Sequence, residues 1–207
     1  LSIQVPTIPP TAESVAIRLT LETMPGPADC PRVPDFSAFQ GLSMWVGPEV
    51  MTAPFTPTGL HALQSSPYFS TWTDSPAGVV QVSDCNIVPC ASYRIDLIRN
   101  TSCDLDDPAN FSEALVLSTT VVWGDVIGSG GQPANGVVDA LDVVAIVDRF
   151  KNVVGAPPRP WCDLSGDRPV QGVLFNVDAL DIVSVIDAYR SFSYPFSGPS
   201  APLDCPG

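Results

Sequence analysis

Oxygen-bearing side chains in this chain recur at the spacing of ligands around a single cation. Asp163, Ser165 and Asp167 stand at alternate positions, and Asn176, Asp178 and Asp181 follow. Asp139 and Asp142 repeat the last pair, with Asn135 and Val137 before them and Asp125 further upstream. A calcium loop that leads into a helix takes ligands at its positions 1, 3, 5, 7 and 9, and an acid at position 12. Position 7 contributes a backbone carbonyl, so an apolar residue such as Val137 can stand there. The acid at 12 enters the helix, where its charge also suits the dipole. The candidate ligands are Asp125, Asn135, Val137, Asp139 and Asp142 in one loop. In the other they are Asp163, Ser165, Asp167, Asn176, Asp178 and Asp181. The expected cofactor is calcium, two ions. The competing reading makes the same aspartates helix N-caps and solvated turns. Two equivalent loops, each with several acids, favour the ion.

The elements that must hold these ligands repeat as well. Residues 138–151 align with residues 177–190, and half of the aligned positions are identical. Val143, Ile146, Val147 and Phe150 fall on one helical stripe, and Ile182, Val185, Ile186 and Tyr189 form the matching one. Two short helices cannot bury such stripes alone, so they are expected to pack on each other. A Pro- and Gly-rich link, 154–160, is expected to end the first helix. Insertions stretch both loops, at 126–134 and at about 168–175, and Ile127 falls where a position 3 ligand belongs.

Upstream the patterning is β. The run Ser14–Leu21 alternates and is β-branched, and short strands are expected at Gly41–Gly47, Leu60–Gln64, Gly78–Ser83, Pro89–Ile98 and Ala114–Val122. This many short strands, punctuated by Pro, Gly, Asn and Asp, predicts an antiparallel β-sandwich. The expected fold class is therefore mostly β plus a small α module.

Three resemblances add to this reading. The segments 91–98, with Tyr93 near the strand start, and 111–120 resemble the last two strands of a fibronectin type III domain. The paired loop–helix segments, with Asp rather than Glu at position 12, resemble dockerin modules, which are EF-hand-type calcium units. That resemblance implies calcium binding and, at Ala140-Leu141 and Ala179-Leu180, the positions through which dockerins select a cohesin partner. Landmarks across the chain are similar to a family of secreted proteins from planctomycetes and similar bacteria. They are Asp35-Phe-Ser-Ala-Phe39, Trp45-Val-Gly-Pro48, Ile87-Val-Pro89, Trp123-Gly-Asp125 and Tyr194-Pro-Phe-Ser-Gly-Pro199. This resemblance implies an extracellular protein and carries no activity.

Charge narrows the partners. The formal net charge is −13, with 22 acidic residues against nine basic ones. Nucleic acid and anionic membrane both require a basic face, so neither is an expected partner. The most apolar run, Val143 to Val147, is bracketed by Asp142 and Asp148 and is far too short to span a membrane. Six cysteines at scattered spacing, with no CxxC pair and a single histidine, His61, predict disulfides in an oxidising compartment. Their connectivity is open; Cys162 with Cys205 is one pairing that would tie down the C-terminal end. The chain opens on Leu1, which leads to the expectation of a removed secretory signal.

Enzyme signatures are missing. There is no HExxH site, GxSxG elbow or phosphate-binding glycine loop, and His61 reads as a strand residue. The expected organisation is an extended arm at 1–12, a fibronectin-like sandwich at 13–122, a calcium module at 123–195 and a tail at 196–207. The expected function is that of an extracellular, calcium-stabilised subunit of a fibre, tube or surface layer, associating with itself or with a protein partner. The alternative is an adaptor that docks on a cohesin-type receptor. The Pro-rich start, 1–10, either packs on its own body or adds a strand to a neighbour.

Overall fold

A computed structural model describes residues 2–5, 16–24, 30, 32–46, 63, 65–66, 78–82, 84, 86–98, 109, 115–116, 120–165 and 175–196. Among them are antiparallel β-sheet and three helices. Strand β2 (Ala16–Thr23) shows why the first part is β. Ile17, Leu19 and Leu21 alternate with Arg18, Thr20 and Glu22, and the three apolar side chains are fully buried. β2 lies centrally in the order β3-β2-β6-β7, between β3 (Ser43–Val46) and β6 (Ser92–Ile98), with β7 (Leu115–Val116) beyond. Its register sets Leu19 opposite both Met44 and Ile95. On the other face Arg18 binds Asp96 at 2.6 Å, and the Thr20 and Ser43 hydroxyls lie 2.8 Å apart. A second set, in the order β1-β5-β4, comprises β1 (Ser2–Val5), β5 (Gly78–Val82) and β4 (Ser65–Ser66).

One apolar cluster contains Ile17, Leu19, Met44, Val80, Val82, Tyr93 and Ile95, so side chains of both sheets share a core. Tyr93 is buried in it, and its hydroxyl accepts from the Val88 N–H at 2.8 Å. Burial pushes the pKa of that phenol up. A disulfide joins Cys30 to Cys90.

Several boundaries differ from the sequence expectation. β6 starts at Ser92, because Pro89 offers no N–H and Cys90 takes a left-handed φ of 59°. The last strand is described only at 115–116; Thr120 instead hooks back, its hydroxyl donating to the Val88 carbonyl at 2.8 Å. The expected strand Leu60–Gln64 lies mostly outside the described residues, as does His61; Leu63 is buried, and pairing falls at 65–66. Of the two alternatives for the N-terminal segment, residues 2–5 pair with β5 of the same chain.

Two equal helices follow, α1 (Ala140–Phe150) and α3 (Ala179–Tyr189), with the short α2 (Arg159–Cys162) between them. The link at 154–160 does not end α1. Asn152 takes a left-handed φ of 55°, and the Asn152 and Val153 N–H groups bond back to the Arg149 and Asp148 carbonyls. Ser191 and Phe192 end α3 in the same way, on Ala188 and Asp187. The helix pair packs around Val126, Ile146, Cys162 and Val185, with Val143 and Ile182 against them. The C-terminal ends of both stripes depart from expectation: Phe150, Ile186 and Tyr189 are exposed, while Ala188 is buried. Gly124 explains Ala188, since a Cβ on Gly124 would stand 2.4 Å from the Ala188 Cβ.

Past α3 the chain returns to the β core. Tyr194 is buried there, edge-on to Trp123 at 5.8 Å and to Phe36 at 6.2 Å between ring centroids. Its N–H donates to the Arg32 carbonyl at 2.9 Å.

Candidate metal centre

The duplicated unit is built around two aspartates at the helix starts. Asp142 Oδ1 accepts from the Val126 and Ile127 N–H groups at 2.7 and 2.9 Å, and its Oδ2 accepts from the Asp139 N–H at 2.8 Å. Asp181 repeats this with Leu164, Ser165 and Asp178 at 2.7, 2.9 and 2.8 Å. Each carboxylate ties the opening of its loop to the first turn of its helix. Both are fully buried. Asp139 and Asp178 are the N-caps, accepting from Leu141 and Leu180, and each forms a reciprocal capping box with the buried acid. The N-cap role weighed against ion binding is thus present at both helices.

In the first loop Asp125 reaches across the insertion. Its two oxygens accept from the Asn135 and Gly136 N–H groups at 3.1 and 2.5 Å. The Asn135 side-chain oxygen accepts from the Val137 N–H at 2.9 Å, which closes a turn. Gly136 has a φ of 87°. Counted back from Asp142 it occupies position 6, where calcium loops need a glycine for the sharp bend. The insertion therefore loops out while its ends meet again at Asp125.

In the second loop Asp163 is buried and Ser165 half-buried. The Ser165 hydroxyl is enclosed beside the Asp181 carboxylate and, among the described residues, forms no hydrogen bond of good geometry. Phe175 takes the place of Gly136, with a φ of 55°, and its ring is buried. Asn176 donates to Asp178 at 3.3 Å. Asp167 lies outside the described residues.

Burial in both loops, joined by like charge in the first, marks them electrostatically. Burial raises the Asp125 carboxyl above the usual range; the Gly136 and Asn135 N–H groups oppose this, and the neighbouring Asp142 and Asp139 add to it. Burial likewise raises Asp181, against the pull of its backbone donors. A cation within reach of these oxygens would favour the ionised forms.

The fit to calcium can be judged on the donors. Carboxylates, an amide oxygen, a hydroxyl and a carbonyl are hard ligands of the kind calcium takes. The turn at Gly136 and the enclosed Ser165 hydroxyl fit the same chemistry. Asp142 and Asp181 fit less completely, because each already accepts three backbone N–H groups. A carboxylate has about four acceptor sites, so about one remains on each for a metal. Among the described residues no three His, Cys, Asp or Glu side chains form a ready cluster around one point. Asp125, Asn135, Val137 and Asp139 would supply most of the first site, and Asp163, Ser165, Asn176 and Asp178 the described part of the second.

Sequence reasoning missed the donors from Val126, Ile127, Leu164 and Ser165, since backbone N–H groups leave no mark in residue type. The dipeptide Asn135-Gly136 was a readable signal for the position 6 turn. Comparison with family models, characterised proteins and solved structures finds no match to this chain.

Proposed function

We propose that the chain is an extracellular structural protein that assembles with copies of itself and is stabilised by two calcium ions in its duplicated loops. In this reading the β part is a fibronectin type III-like sandwich and the helical part a dockerin-like module. The observation that carries it is a matched pair of apolar surfaces beside the candidate ion loops. Leu141 and Val144 on α1 are 46% and 54% exposed, and Leu180 and Val183 on α3 are 54% and 53% exposed. Apolar side chains fixed next to a rigid loop lose little entropy on docking, which suits an interface core. The Cys30–Cys90 disulfide supports an oxidising location.

Calcium supplies positive charge that relieves repulsion among the loop carboxylates and anchors both helix starts. Calorimetry and light scattering of the native chain, with calcium and with chelator, test the proposal. Calcium is expected to raise the thermal midpoint and to permit large particles. The double change Leu141→Asp with Leu180→Asp is expected to abolish particles and keep the calcium shift. The exposed Leu141 and Leu180 also favour the adaptor as a second reading. A chain that takes up calcium, stays monomeric and binds a cohesin-like receptor through these leucines would make the adaptor correct.

A further inference from the structure

An open, mostly apolar groove of about 230 Å³ runs beside α1. Leu141, Val144 and Asp148 line it from the helix, Ile127 from the first loop, and Val153 and Pro157 from the segment after α1. The chain itself fixes both sides. The Arg149 guanidinium donates to the Pro157 carbonyl at 2.6 Å and to the Ala156 carbonyl, and the Val153 N–H donates to the Asp148 carbonyl at 2.9 Å. Opposite, Asp142 holds the Ile127 N–H, and the Gly128 N–H donates to the Gln132 carbonyl at 2.7 Å. A groove set in this way needs little reordering on binding. After α3 the chain runs into the β core at Tyr194 instead, so among the described residues α3 has no matching second side.

We infer that this groove receives an extended segment of a partner protein that presents a lysine or arginine beside an apolar side chain. Size points to a protein segment. The volume lies below the roughly 300–1,000 Å³ of small-molecule sites, and it suits one or two side chains of a longer chain. Charge selects the basic group. Asp148 is the one charged residue of the lining, it is half-buried, and among the described residues its carboxylate has no hydrogen bond or ion pair. The net charge of −13 draws a basic partner over longer range. The apolar neighbour follows from Leu141, Val144, Val153 and Val154, all exposed, with Val154 at 99%. Gly130, Gly131 and Gly155 line the groove without side chains, so the partner's backbone can lie close. This partner is distinct from the copies of the self-assembly reading, whose proposed surfaces do not include Asp148 or Val153.

Two synthetic peptides with blocked ends test it: Gly-Leu-Arg-Leu-Gly, and the same peptide with Glu in place of Arg. Each is titrated into the full chain in calcium, below the concentration that gives particles, and backbone amide NMR reads where it binds. The Arg peptide should shift the amides of Ile127, Val144 and Val153 and leave β2 unmoved, and the Glu peptide should shift none. Asp148→Asn should weaken the Arg peptide about fivefold, the scale of a partly exposed ion pair. Asp148→Lys should reverse the preference to the Glu peptide, which loss of packing alone would not do. Absence of groove shifts at millimolar Arg peptide, equal shifts by both peptides, or unchanged affinity in Asp148→Asn would overturn the inference. Particles that persist in Asp148→Lys alongside such a failure would leave self-assembly standing. Groove binding by a chain that forms no particles under any condition would uphold the groove and overturn self-assembly.

Discussion

The Arg32 guanidinium donates to the Ala188 carbonyl at 2.8 Å, across 156 positions of sequence. Ala188 lies in the last turn of α3, where carbonyls lack helical partners and the dipole favours a cation. Arg32 lies two residues from Cys30 of the disulfide, and its own carbonyl holds Tyr194. The helix pair and the β core are therefore clasped at one point. Arg32→Ala should cost about 2 kcal/mol, the scale of a bond to a charged donor. Tyr194→Ala should cost about 3–5 kcal/mol, the scale for a buried aromatic. Urea unfolding measures both, and a loss below about 0.5 kcal/mol for Arg32→Ala would show that the clasp contributes nothing.

Asp142 and Asp181 should matter with and without calcium. Each satisfies three backbone N–H groups. Asp142→Ala or Asp181→Ala should lower stability by about 2–4 kcal/mol even in chelator, since unsatisfied buried donors cost about 1–3 kcal/mol each and water recovers part. Asp125→Asn should lose most of the calcium-induced shift while changing the chelated protein less. Equal midpoints for Asp142→Ala and the parent chain in chelator would refute the bracing role.

Two backbone positions should respond in opposite directions. Gly124 has a φ of 89° and lies against Ala188. Gly124→Ala should destabilise by about 2 kcal/mol or more, from left-handed strain plus a clash. Ser191 has a φ of 70° at the end of α3 and is exposed. Ser191→Gly should stabilise by about 1 kcal/mol by removing the Cβ penalty. Thermal midpoints of the two variants check the pair.

Cys162 is fully buried and forms no disulfide among the described residues; its proposed partner, Cys205, lies outside them. Mapping of the unreduced chain should find a 162–205 bridge and no alkylatable thiol. After reduction, burial pushes the Cys162 thiol up to about 12. At pH about 8 its thiolate is then scarce, and labelling should await unfolding. Fast labelling of Cys162 in the folded, unreduced chain would contradict both statements.

Residue type and period were enough to locate α1 and α3 and the alternating face of β2, whereas Asp139 and Asp178, read first as ion ligands, are N-caps in the structure. These are local properties: a helical stripe, a capping box and a two-residue pleat all repeat within a few positions. The Schellman ends at Asn152 and Ser191 were not legible, because the left-handed residue was not glycine in either case. Two of the three backbone donors to each buried aspartate were hidden too, since Val126 and Ile127, and Leu164 and Ser165, are brought back over an insertion of variable length.

What the tertiary structure alone decided is which surfaces are spent. Leu141 and Val144 share a helix with the fully buried Ile146, yet stay open, because one face of α1 meets α3 and Val126 while Leu141 and Val144 line an open groove with Ile127, Gly130, Val153 and Pro157. Residues 2–5 read as part of an extended arm with two places to pack, and they are held by backbone pairing to β5 of the same chain. Tyr194 reads as the end of the helical module and is buried in the β core. Sequence determined the periodicities and the acid spacing, which depend on neighbours along the chain. Burial and strand partners depend on residues up to 156 positions apart, and no local pattern encodes which of them meet.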